Sequence, residues 1–82
     1  MTHTEKIKMQ AEQNEEYIRA ICKESQRSLA LVANYDFDAA DLESCIKTIK
    51  TMAWIFQEDV QAIRNCMAMN DALRIMANTI ED

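Results

Sequence analysis

The stretch "NYDFDAADLE", residues 34–43, is where this chain turns back on itself. Asn34, Asp36 and Asp38 have short polar side chains that bond nearby backbone groups and compete with helix. Asp38 followed by Asp41 three positions on has the spacing of a capping box with a shorter acid in the second place. Asp36, Asp38, Asp41 and Glu43 also suit the positive end of a helix dipole. The stretch predicts a turn at 34–37, after a first helix over about 4–33 and before a second from Asp38 to about 80.

Nothing else in the 82 residues rivals that turn. Gly and Pro, the usual punctuation of loops, are both absent. Ala, Met, Ile, Glu, Gln and Lys dominate, and most of these favour helix. Hydrophobic content is 49%, too high for a disordered chain. The fold class expected is all-α: a single domain over 1–82, built as an antiparallel helical hairpin.

Helix 1 carries Ile7, Ala11, Asn14, Ile18, Ile21, Ser25, Leu29 and Val32 on one narrow stripe, with Cys22 beside it. The steps of four and three are those of a coiled-coil seam, and Asn14 and Ser25 read as polar residues that set its register. Helix 2 carries Leu42, Ile46, Ile49, Ala53, Phe56, Val60, Ile63 and Met67 at the same spacing. This first face is the natural one to meet helix 1. A second line runs through Met52, Ile55, Ala62, Cys66, Met69, Leu73, Met76 and Ile80, about 130° further round.

With the turn centred near residue 36, Met67 should lie level with the start of helix 1. The tail and the second face then need another cover. A second copy of the chain is the simplest, giving a homodimer in the form of an antiparallel four-helix bundle, or a larger helical oligomer. Met52, Ile55, Cys66, Met69, Leu73, Met76 and Ile80 are the expected oligomer interface. The competing arrangement is a break at 70–71 that folds the tail back.

Trp54 stands apart from both apolar lines, among Lys47, Lys50 and Glu58. A lone tryptophan on a polar arc suits a hot spot for another protein. The plainer readings are packing at a subunit boundary or cover by lysine stems. Lys47 and Lys50 could instead hold a small anion such as a nucleotide, with the ring as platform. Arg19, Lys23 and Arg27 recur one turn apart and form an alternative stripe for an anion or acidic partner. Glu12, Glu15 and Glu16 share that side, so a solvated charged face is the plainer reading there.

The formal net charge is −5. Residues 1–35 carry five acids and five bases, and residues 36–82 carry nine acids and four bases. That balance argues against nonspecific DNA binding, which needs a basic footprint. Cys22, Cys45 and Cys66 form no C-x-x-C pair, and His3 is the one histidine, so no metal site is expected. The odd cysteine count fits reduced, packed thiols in a cytoplasmic protein. The longest apolar runs, "LALVA" and "MAWIF", fall far short of a membrane span, and no signal-peptide pattern opens the chain.

No catalytic residues are expected. His3 is badly placed as a base, the cysteines have no base partner, and no Gly-rich loop cradles phosphate. No cofactor is implied. The function expected is that of a small acidic protein-binding regulator, an inhibitor, anti-activator or sequestering protein, acting as a homo-oligomer. Two other classes stay open: a helical oligomer that holds a small anionic ligand such as a nucleotide between subunits at Lys47, Lys50 and Trp54, and a structural or chaperone subunit of a larger assembly.

Overall fold

A computed structural model describes residues 2–80. Two helices, α1 (His3–Ala33) and α2 (Leu42–Thr79), lie antiparallel in a rod measuring 63 × 16 × 12 Å between Cα atoms. Neither helix is long and apolar enough to cross a membrane. The expected all-α hairpin is the observed fold.

α1 opens on Thr2, whose hydroxyl accepts from the backbone N–H of Glu5 (3.1 Å). This satisfies one of the donors left free in a first helical turn. At the other end Asn34 keeps right-handed backbone angles, and its N–H still bonds Ala30 O. No described residue has a positive φ, so the helix ends without the left-handed residue that glycine usually supplies.

The connection is longer than expected, and α2 begins at Leu42 rather than Asp38. The Asp36 carboxylate takes the backbone N–H groups of Asp38 (3.1 Å) and Ala39 (3.0 Å), and Asp36 O takes that of Ala40. A box between Asp38 and Asp41 needs the Asp38 N–H, which Asp36 already holds. Asp41 becomes the cap instead. One of its oxygens accepts from Ser44 N (3.1 Å) and the other from the Ser44 hydroxyl (2.7 Å). Both bonds favour the ionised carboxylate and hold the Asp41 pKa below its usual value, the hydroxyl bond contributing most.

α2 runs unbroken through 70–71. The Asn70 side chain reaches across to α1 instead of competing with its own backbone, and Asp71 pairs with Arg74 (3.4 Å). Asn14 Nδ2 donates to Asn70 Oδ1 (2.9 Å), and the Ser25 hydroxyl donates to Asp59 Oδ2 (2.6 Å). Eleven residues separate the two bonds on each helix, so they fix a single register.

That register corrects the expected one. A turn centred near residue 36 would set Asn14 level with Glu58, but it lies level with Asn70, and a groove at the open end is lined by Ile7 and Ala11 together with Leu73 and Ala77. α1 thus covers the tail. The overhang lies at the turn, where the first turns of α2 project past Ala33. Phe37 closes over them, its ring edge-on to Tyr35 with centroids 4.7 Å apart and its carbonyl accepting from the Cys45 thiol (3.4 Å).

The two faces of α2 also exchange roles. Thr48, Met52, Ile55, Asp59, Ala62, Cys66, Asn70, Leu73 and Ala77 are half-buried towards α1. On the face expected to meet α1, Leu42 is 75% exposed, Ile49 51% and Met67 56%. The polar pairs account for the exchange. Asn14 and Ser25 sit in the α1 seam and need hydrogen-bonding partners there. Asp59, on the second line between Ile55 and Ala62, and Asn70, between the two lines, provide them. Among the described residues the one buried side chain is Asn14, 8% exposed, and no apolar residue is buried.

Candidate functional site

α2 presents three surfaces: the seam, an apolar strip and an outer arc. The seam is closed by its polar pairs. Gln10 Nε2 donates to Asn14 Oδ1 (3.1 Å), so Asn14 is bonded through both ends of its amide.

The apolar strip follows Leu42, Ile46, Ile49, Ala53, Val60 and Met67, all exposed, with Phe56 and Ile63 half-buried at its seam-side edge. Near the turn a shallow apolar hollow of about 360 Å³ is lined by Phe37, Cys45, Ile46, Ile49 and Lys50. Beyond Met67 the same side turns polar, where Lys8 and Glu15 of α1 and Asp71 and Arg74 of α2 line the open-end groove. The apolar strip thus ends at a charged rim.

The outer arc holds Trp54, 62% exposed, with Lys47 and Glu58 also exposed. Among the described residues the ion pairs are Arg27 with Glu24 and Arg74 with Asp71, so Lys47, Lys50 and Glu58 hold none. The pairing of Glu43 with Lys47 that the spacing favours is not formed. The ring contact among the described residues joins Tyr35 and Phe37, and neither lysine stacks on Trp54. Lys50 parts from the group, since it rims the hollow beside Ile46 and Ile49.

Arg19, Lys23 and Arg27 are all exposed, but Arg27 pairs with Glu24 and Arg19 shares a shallow hollow with Glu15 and Ile18. Of the positions assigned to an oligomer interface, Met52, Ile55, Cys66, Leu73 and Ile80 are half-buried, whereas Met69 and Met76 are exposed. Cys22 is exposed rather than packed. Among the described residues no group of three or more His, Cys, Asp or Glu side chains is gathered as for a metal ion.

Asp59 and Asn70, which set the seam, were not singled out by apolar periodicity. Their signal was the matched spacing, since Asp59 and Asn70 stand as far apart as Asn14 and Ser25. Searches against protein-family models, curated proteins and solved structures find no match to this chain.

Proposed function

We propose that this chain works by binding, without catalysis. It is a self-associating helical hairpin that holds another protein through the Trp54 arc and thereby inhibits or sequesters it. The exposure of Trp54 carries this reading: a large rigid ring lies in water, away from the seam, flanked by uncommitted charges. Such rings are enriched among residues that dominate protein interfaces.

Self-association is supported by surface area. The chain exposes 6644 Å², against about 5,000 Å² expected for a folded monomer of 9.5 kDa. Two helices without one buried apolar side chain lack the core on which stability rests.

The experiment compares wild type with Trp54→Ala as baits in an extract of the native host. The expected result is a protein retained by wild type and lost by the variant, with the mass of the bait unchanged. Equal retention by both baits contradicts the role of Trp54.

A further inference from the structure

We infer that a second copy of this chain covers the 42–67 strip, with the two α2 helices antiparallel across a two-fold axis near the middle of the strip. The inference rests on the self-association proposed above and names its face and orientation.

Both helices contribute to the side in question. Ala11 of α1 and Arg74 of α2 line one groove at the open end. Cys22 and Leu29 follow Ala11 by whole turns of helix, and Met67, Val60 and Phe56 precede Arg74 in the same way. Leu29 therefore shares a side with the strip, and it too is exposed. The surface in excess of a compact monomer is about 1,600 Å² per chain, where a standard interface takes about 800 Å² from each partner. One continuous face is enough to supply it.

The strip is complementary to itself when one copy is reversed. Its four-three spacing reads the same from either end, so each apolar position meets an apolar position. Ile46 falls opposite Ile63, Ile49 opposite Val60, and small Ala53 opposite large Phe56. Leu42 and Met67 close the ends.

Charge selects this orientation over the parallel one. The turn holds Asp36, Asp38, Asp41 and Glu43 and no base. A parallel pair would set both turns side by side, where like charges repel. Reversal puts them at opposite ends. It also brings Arg64, exposed and without an ion pair among the described residues, level with Cys45 of the second copy, one turn from the acids of its connection.

The test is the solution mass of designed variants. Ile49→Glu should turn the dimer into a monomer, while Leu31→Glu, at a more exposed site off the strip, should not. Adding Val60→Lys to Ile49→Glu in one chain should restore the dimer. The two positions are too far apart on one helix to meet, but they face each other across the antiparallel interface. A dimer that survives Ile49→Glu overturns the face and leaves self-association standing. A double variant that stays monomeric overturns the antiparallel register. A monomeric wild type overturns the inference together with the self-association beneath it, whereas the Trp54 comparison is read separately from bait retention.

Discussion

The amide of Asn14 donates to that of Asn70 across the hairpin at 2.9 Å, and Asn14 is the one buried side chain among the described residues. The most enclosed position of the fold is thus a polar contact. It contributes little net stability, because water offers the same bonds to the unfolded chain. Its effect is selective. Any register or face of α2 that leaves Asn14 without a partner costs about 1–3 kcal/mol.

Asn70→Ala should therefore lower unfolding stability by about 1–3 kcal/mol, read as a shift of the denaturation midpoint. Asn14→Leu with Asn70→Leu should recover much of that loss while letting the helices slide. Broadened amide resonances in the double variant would report the sliding. Equal stability of Asn70→Ala and wild type would show that the bond does not set the register.

The Asp41 cap gives a pH dependence of definite sign. Its carboxyl pKa is lowered in the folded chain, first by the Ser44 hydroxyl and then by the Ser44 N–H. The cap's contribution is present above the ordinary carboxylate pKa and is lost as pH falls through the lowered value. Asp41→Ala should melt earlier than wild type at neutral pH, and the gap should close on acidification. A gap that persists well below the carboxylate range would mean that the charge of Asp41 plays no part.

Trp54 and Phe56, two positions apart, should respond in opposite ways. Trp54→Ala changes an exposed residue and should move stability by no more than about 0.5 kcal/mol. The Trp54 emission of wild type should be red-shifted and open to an aqueous quencher. Phe56→Ala, at the edge of the strip, should lower both stability and mass. Blue-shifted, shielded emission from the isolated protein would place Trp54 inside the assembly instead.

The two helices were legible in the sequence because a chain without Gly and Pro, with apolar residues every three or four positions, has few other ways to fold. The start of α2 was not. Asp38 and Asp41 are both sound caps, and the choice falls to Asp36, whose side chain holds the Asp38 N–H. The inward face departs from apolar periodicity for a related reason. The 42–67 strip is the more apolar of the two, but Asn14 and Ser25 on α1 require the face that carries Asp59 and Asn70. The exposure of Trp54 was legible, since it lies on neither apolar line of α2. The position of Lys50 on the rim of the hollow was not, because it depends on where the connection lays Phe37.

Light scattering on the wild-type protein, coupled to size exclusion at micromolar concentration, tests the central claim most directly. Self-association through the uncovered strip predicts a mass of twice 9.5 kDa. A helical, cooperatively melting species of 9.5 kDa would contradict it, because the hairpin would then be stable with its apolar strip in water.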